Sequence, residues 1–458
     1  MFSIKSLAAF LPLSVQFGCS FPKIYKSIEK SQWWNEKKLR EHQTEKLSRL
    51  IVHAYENVPY YRRIFQERGL KPNDIRGPED LHQLPYLTKE IVKANESDLI
   101  ARNINLKVCS EFHTSGSTGV PMKIIADEGM ISAESAFIIR AFESHDSRLY
   151  REKSVWLRSY VPKAGEPIYR YEPQRNRLFL SAYHLSDGTI KQYVELMNRF
   201  KSDLLVGYPS SLYGLALSIE KAGIQPPKFK VAHTGSECLL PEWKRKAEDV
   251  LGCPVKDHYG MGEMVSLFHR CTHSECYHEN LEYGVTEIVD VHNGVGEVSG
   301  TSLWNYAMPL IRYRPGDRGR LNIGQLKCAC GRGLPLTVSE FDGRADDLII
   351  TPDNRHLPGV NFYTLLYQIN GVGMFRIIQR AIDDIEVQIV ATAGYSPESE
   401  MLLLEGMRDR VGEGVKIQIS LHDEIKRNVR TGKYKTIESM VRKDITRSQI
   451  ITPSGIKS

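Results

Sequence analysis

Nowhere does this 458-residue chain reach the ~18–20 uninterrupted apolar residues that a membrane-spanning helix requires, so no such span is expected. Nor does one sign of charge dominate. Lys and Arg number 61 against 55 Asp and Glu, and a net +6 over so large a surface is too mild to imply nucleic acid. Basic residues thicken only toward the C-terminus (Lys426, Arg427, Arg430, Lys433, Lys435, Arg442, Lys443), which suits a solvated face or anionic phosphates equally. Internal repeats and low-complexity segments are missing. Between Lys5 and Lys23 charge is absent, but Pro12, Ser14 and Gln16 interrupt the apolar run, no small-residue cleavage site follows, and the residues before Cys19 form no lipoprotein box. Cysteines are few and uneven. Of eight, Cys271, Cys276, Cys328 and Cys330 gather in one region, a pattern of metal ligation rather than of a disulfide framework, and a reducing cytoplasm is the expected compartment.

A chain of this length exceeds the size at which one core keeps growing, so two or more domains are expected. Residues 30–68 carry a helical period through Leu39, Leu47, Leu50, Ile51 and Ala54 that ends near Val58-Pro59-Tyr60-Tyr61, forming a helical collar. From about 130 to 260, helical stretches alternate with short apolar runs such as Leu204-Leu205-Val206-Gly207-Tyr208 and Lys230-Val231-Ala232-His233-Thr234, the mark of an α/β layer with parallel strands. Alternating residues and Gly/Asn turns over 284–323 predict a β subdomain. The pattern resets after 343–347, where a helix at 361–369, strands near 374–380 and 385–391, a helix near 398–411 and a strand at 415–421 make a compact α+β unit. The expected class is therefore α/β: a large multi-layer domain over 1–344 with mixed and parallel sheets and a β subdomain, and a small mobile α+β domain over 345–458.

The chemistry-bearing residues begin with His113-Thr114-Ser115-Gly116-Ser117-Thr118-Gly119-Val120-Pro121. Four hydroxyls and two glycines within 114–119 suit a loop whose amides close on an anion, although the same composition also makes a plain flexible turn. It is not a Walker loop, because no lysine appears until Lys123. Further along stand Tyr259-Gly260-Met261-Gly262-Glu263, Tyr313-Arg314-Pro315-Gly316-Asp317, Gly343-Arg344-Ala345-Asp346-Asp347 and Arg430-Thr431-Gly432-Lys433. In this order and at these separations, the motifs resemble the adenylate-forming superfamily of acyl-CoA synthetases, luciferases and peptide-synthetase adenylation domains. The Pro59-Tyr60-Tyr61 and Gly207-Tyr208-Pro209-Ser210 elements and the cysteines are most similar to the phenylacetate-CoA ligase branch, in particular its CapK-like subgroup of capsular polysaccharide biosynthesis.

That resemblance implies AMP-forming activation of a carboxylic acid by ATP and Mg²⁺, pyrophosphate release, and capture by coenzyme A. Two other outcomes stay open: an adenylyltransferase that leaves AMP on its acceptor, and a nucleotide-responsive binding protein without turnover. On the family pattern Thr114, Ser115, Gly116, Ser117, Thr118 and Gly119 would hold the β and γ phosphates, with Thr118 near the magnesium. Glu263 would ligate Mg²⁺ through a hard oxygen. Tyr259, beside Gly260, would pack on adenine, Asp317 would accept from the ribose hydroxyls, and Arg344 would meet ribose or phosphate. Ser236 and Glu237, within Thr234-Gly235-Ser236-Glu237, resemble the adenine-side loop. Lys433 would bring an ammonium to the reacting carboxylate and α-phosphate, and Asp346 falls at the family's hinge.

Soft donors in fours select zinc at a closed structural site. Six candidates compete here, and a Cys followed seven residues later by a His, as in CapK-like sequences, favours Cys271, His278, Cys328 and Cys330. Cys276 with His273 is the runner-up pair. The small-molecule acid itself is not legible from the residues.

Overall fold

The computed structural model describes residues 12–114, 122–143, 152–158, 160, 162–163, 165–324, 327–342, 348–353, 355–425 and 436–441. The chain opens with helices α1 (Leu13–Phe17), α2 (Phe21–Ser31), α3 (Glu36–Asn57), α4 (Pro59–Glu67) and α5 (Lys89–Ala94). In α3 the buried residues Leu39, Gln43, Leu47, Leu50, Ile51 and Ala54 recur at helical spacing, and Asn35 caps the first turn by accepting from the Lys38 amide at 2.9 Å. The helical pattern does not stop at Pro59, as its sequence suggests. Proline sits at the first position of α4, where its missing N–H costs nothing, so Val58 is a joint between two helices.

Next come the hairpin β1 (Ser110–Thr114) and β2 (Met122–Ala126), helix α6 (Glu128–Glu143), and strands β3 (Ser154–Arg158), β4 (Tyr169–Glu172) and β5 (Arg177–Ser181). They are followed by α7 (Ile190–Phe200), β6 (Leu204–Gly207), α8 (Pro209–Ala222), β7 (Val231–Gly235), α9 (Pro241–Leu251) and β8 (Val255–Gly260). Strands β9 (Leu267–His269), β10 (Tyr277–Glu279), β11 (Gly284–His292), β12 (Val295–Ser302), β13 (Arg318–Leu321) and β14 (Leu336–Asp342) complete the larger part.

Among the described residues twelve strands join in one sheet, ordered β11-β12-β13-β14-β10-β9-β8-β7-β6-β3-β5-β4. Strands β5, β3, β6, β7 and β8 run parallel, and both β6 and β7 are buried along their whole length, as strands covered on two faces must be. The β-rich stretch is antiparallel and continues the same sheet, because β14 pairs with both β13 and β10. Crossover helices bury Tyr193, Val194 and Met197 of α7 and Leu212, Leu215 and Ile219 of α8 against the parallel core.

The smaller C-terminal α+β part comprises the hairpin β15 (Leu348–Ile350) and β16 (His356–Pro358), α10 (Val360–Gln368), β17 (Val372–Ala381), β18 (Asp384–Ala391), α11 (Pro397–Val411), β19 (Lys416–Leu421) and β20 (Ile437–Ser439). Its sheet runs β19-β18-β17-β20, and β20 is a strand the sequence pattern does not reveal. The expected boundary between residues 344 and 345, and the hinge residue Asp346, lie outside the described residues.

Candidate active site

Open parallel sheets place ligands off the carboxyl ends of their strands. Here those ends carry Arg158, Gly207, Gly235 and Gly260, from β3, β6, β7 and β8. After Gly260 the chain turns back within six residues, since Gly260 pairs with Leu267 on antiparallel β9. Glu263 sits in that return, next to Met264 with a left-handed φ of 55°.

Tyr313 fixes Glu263. Its hydroxyl donates to Glu263 Oε1 at 2.9 Å and lies 3.9 Å from Met122 Sδ, the first residue of β2. Thr114 and Met122 are cross-strand partners, so the hydroxyl-rich segment leaves and rejoins a single hairpin whose base touches the residue that holds Glu263. Ser115, Gly116, Ser117, Thr118 and Gly119 lie outside the described residues. Burial pushes the Glu263 carboxyl above the usual carboxylate range and the negative charge of Asp317 adds to the rise, while hydrogen bonding and the Lys89 ammonium oppose it. A half-buried acid with a second acid in range is relieved by a divalent cation, and hard carboxylate oxygens are the donors Mg²⁺ takes, so Glu263 fits such an ion.

Asp317 follows Gly316, whose φ of 88° makes the turn, and it accepts from the Tyr259 hydroxyl at 3.0 Å. One face of the Tyr259 ring is already covered by Phe341, stacked at 3.7 Å and 7°. Adenine packing would therefore have to use its edge or other face. Gly260 is not demanded by packing, because a Cβ there would meet Leu267 only at 3.9 Å.

The segment leading to Asp317 is braced from several sides. Tyr61 of α4 donates to the Pro309 carbonyl and accepts from the Ile311 amide, both at 2.9 Å. Arg312, at a strained φ of 56°, pairs with both oxygens of Glu287 at 2.9 and 2.7 Å and donates to the Leu84 carbonyl at 2.7 Å. Tyr60-Tyr61, which belongs to the family-like pattern, thus serves the site at a distance.

Across the crevice, Glu237 Oε2 accepts from the Ser210 amide at 3.1 Å, one of the orphan donors at the start of α8. Part of the expected nucleotide-binding capacity of Glu237 is therefore used as a helix cap. Ser236 holds a φ of 72°. Gly235 is obligatory for a local reason: a Cβ would come within 2.3 Å of the His258 ring. Arg344 and Lys433 lie outside the described residues.

Cys271, His278, Cys328 and Cys330 are brought together, their ligand atoms all within 4.8 Å of one another. Cys271 Sγ is 3.4 Å from Cys328 Sγ and from His278 Nε2, and Cys330 Sγ is 3.6 Å from His278 Nε2. Tetrahedral ligation at a Zn–S distance of about 2.3 Å separates donors by roughly 3.5–3.8 Å, so the donor set fits zinc. His278 Nδ1 donates to the Leu334 carbonyl at 3.0 Å, which leaves Nε2 as the bare donor facing the sulfurs. The runner-up residues point elsewhere: His273 meets Thr272, and the Cys276 amide meets Ser274. The knuckle docks on the joint between α2 and α3, where Gly333 donates to the Gln32 carbonyl at 2.9 Å and Arg332 to Gln32 Oε1 at 2.8 Å. Any Cβ on Gly333 would fall 1.6 Å from the Trp34 carbonyl.

Known proteins share stretches of this sequence and its fold. Residues 349–440 match the family model described as the CapK C-terminal domain. A phenylacetate-coenzyme A ligase of Pseudomonas putida is 28% identical over 338 residues, covering 71% of this chain and 73% of that protein. Protein CapK of Staphylococcus aureus is 25% identical over 378 residues, covering 80% and 81%. By these likenesses the chain is similar to the adenylate-forming family, in its phenylacetate-CoA ligase-like and CapK-like branch. Its fold is that of a 2-hydroxyisobutyryl-CoA ligase solved with 2-HIB-AMP and CoA, at a TM-score of 0.58 and 17% identity over 92% of this chain and 94% of that one.

Sequence reading missed Tyr313, Phe341, Lys89 and Arg158. Tyr313 lies inside the quoted Tyr-Arg-Pro-Gly-Asp motif and could have been singled out there, whereas the other three carry no local signal.

Proposed function

We propose that this protein activates a carboxylic acid with ATP, releasing pyrophosphate, and transfers the acyl group from the resulting adenylate to coenzyme A. The observation that carries the reading is the Tyr313–Glu263 pair at the base of the β1–β2 hairpin, in electrostatic range of Asp317 and its Tyr259 partner. Glu263 would hold Mg²⁺, which when bound draws negative charge from the phosphates. In the same reading Asp317 accepts from the ribose hydroxyls, residues 114–119 hold the terminal phosphates, Arg344 meets ribose or phosphate, and Lys433 brings its ammonium to the carboxylate and α-phosphate. Those positive groups matter because the acid and the triphosphate repel each other as they approach. The β-rich knuckle would carry zinc away from the reacting atoms, since four donors leave no open position. The CapK-like resemblance of the sequence motifs extends the proposal to an acid of cell-surface polysaccharide assembly. Eight free cysteines support work in the reducing cytoplasm.

The test is pyrophosphate release by purified protein with ATP, Mg²⁺ and a panel of carboxylic acids, aryl acids included. Release that depends on an acid, followed by thioester when CoA is added, is the expected result. Adenylate without thioester would replace the ligase by an adenylyltransferase, and an unresponsive panel would replace it by a binding protein.

A further inference from the structure

Arg158 ends β3 and enters the crevice at the carboxyl ends of the parallel strands. Its guanidinium lies 4.4 Å over the ring of Tyr208, and Nη1 donates to Ser236 Oγ at 3.3 Å. Among the described residues no ion pair involves Arg158, and its buried Nε has no hydrogen-bond partner. The buried Asp257 feels this charge electrostatically without forming an ion pair with it. Asp257 already accepts from Thr234 Oγ1 and the Tyr277 hydroxyl, both at 2.6 Å. Arg177, a second cation, shares the Trp156 ring with Arg158, at 4.2 Å against 5.9 Å. His258, pushed down to about 4 by burial and then by the Arg158 charge itself, is a neutral ring at pH 7, stacked 5.2 Å from His233, which in turn lies 3.8 Å from Phe142.

A planar cation kept in place by an aromatic face, with a donor left over and no ion pair among the described residues, is built to receive a planar anion. The crevice it enters is the one in which the adenylated acid would lie. We propose that Arg158 binds a second anionic group on the acid substrate, so that this protein takes acids bearing a carboxylate or similar anion at the far end from the reacting carboxylate. The inference rests on the adenylation reading and narrows it. A plain aryl acid such as phenylacetate would leave the half-exposed guanidinium without the charged partner a diacid supplies, and so would forgo a charged hydrogen bond.

Matched acids test it: glutarate against valerate, and succinate against butyrate, in the pyrophosphate assay with wild type, R158M and R158K. Wild type should prefer the diacids. R158M should raise KM for the diacids by about 10- to 100-fold, the scale of one charged hydrogen-bonded contact, with KM for ATP unchanged. R158K, which keeps a point charge but not the fork, should recover part of the loss. If wild type uses valerate as readily as glutarate, adenylation stands and the inference falls. If R158M raises KM for ATP instead, the anion is a phosphate of ATP and the inference falls as well. A merely structural arginine would lower activity for both members of each pair alike, leaving their ratio unchanged. Should no acid release pyrophosphate, the adenylation reading fails separately, and calorimetric titration of glutarate decides: binding by wild type that R158M loses sustains the site, and no binding ends it.

Discussion

Arg355 donates from Nη1 to the backbone carbonyl of Tyr183, joining the C-terminal part to the larger part, and the Arg410 guanidinium lies 5.3 Å over the Tyr183 ring. The Arg355 side chain also donates to the carbonyls of Arg410 and Val411 at 2.6 and 2.8 Å, closing the C-terminus of α11. Tyr183 belongs to the larger part by sequence, yet its ring is buried with Ile349, Leu357, Phe362 and Leu403 of the smaller one. It acts as a plug. Removing the ring from so closed a site costs about 3–5 kcal/mol. Tyr183→Ala is therefore expected to lower stability by that order in denaturant titration, with the C-terminal part melting ahead of the rest. Unchanged unfolding would mean the two parts do not depend on this contact.

The Tyr313 hydroxyl holds the Glu263 carboxyl toward its charged form, against burial and Asp317. Tyr313→Phe removes that donor and raises the Glu263 pKa further. Because the ionised carboxylate is the form that would take Mg²⁺, the acidic limb of the pH–rate profile for pyrophosphate release should move to higher pH. Glu263→Gln should cost more than about 100-fold in rate while leaving the fold intact, the scale of losing one charge-stabilising group at a reaction centre. A profile that Tyr313→Phe leaves in place would detach Glu263 from the rate.

Glu134 on α6 is partly buried and accepts from the Tyr283 hydroxyl, and desolvation raises its pKa from 4.5 to about 7. Between those values the folded chain binds a proton that the unfolded chain has released, so stability falls as pH rises and the loss is complete above about 7. At ~1.4 kcal/mol per pH unit, the residue forfeits about 3 kcal/mol over that window. Glu134→Gln cannot titrate. The stability of this variant relative to wild type should rise by about 3 kcal/mol between pH 4.5 and 8, with Glu279, also raised to about 7, common to both proteins. A constant difference across that range would mean that Glu134 stays charged in the folded protein.

What was legible in the sequence follows from how each feature is encoded. Alternation of apolar runs with helical periods marked the parallel core from β3 to β8, because burial on both faces leaves a local trace. Glu263, Asp317 and Tyr259 could be proposed from short motifs, since glycine-rich turns must stand next to them in sequence. Their supports could not. Tyr61 braces Ile311 from 250 positions away, Phe341 covers Tyr259 from another strand, and Arg355 reaches Tyr183 across 172 positions. Such contacts depend on tertiary packing and leave no periodicity to read. Strand β20 was missed for a related reason: three residues are too few to show alternation, and parallel pairing with β17 is what makes them a strand.

The cysteine cluster offers the sharpest contrast between neighbouring residues. Cys271, Cys328 and Cys330 converge on the bare Nε2 of His278, whereas Cys276, five residues from Cys271, does not join them. Purified protein should carry stoichiometric zinc by elemental analysis, lose it in Cys271→Ser and Cys330→Ser, and keep it in Cys276→Ser. The metal's mechanical role follows from Gly333, whose backbone lies against Trp34 and hydrogen-bonds to Gln32. With the knuckle released by a chelator, that contact loses its rigid half, and limited proteolysis should begin near residues 31–36, ahead of cleavage in the parallel core. Zinc retained in Cys271→Ser, or cleavage sites unmoved by chelation, would show that thiols and packing alone hold the joint.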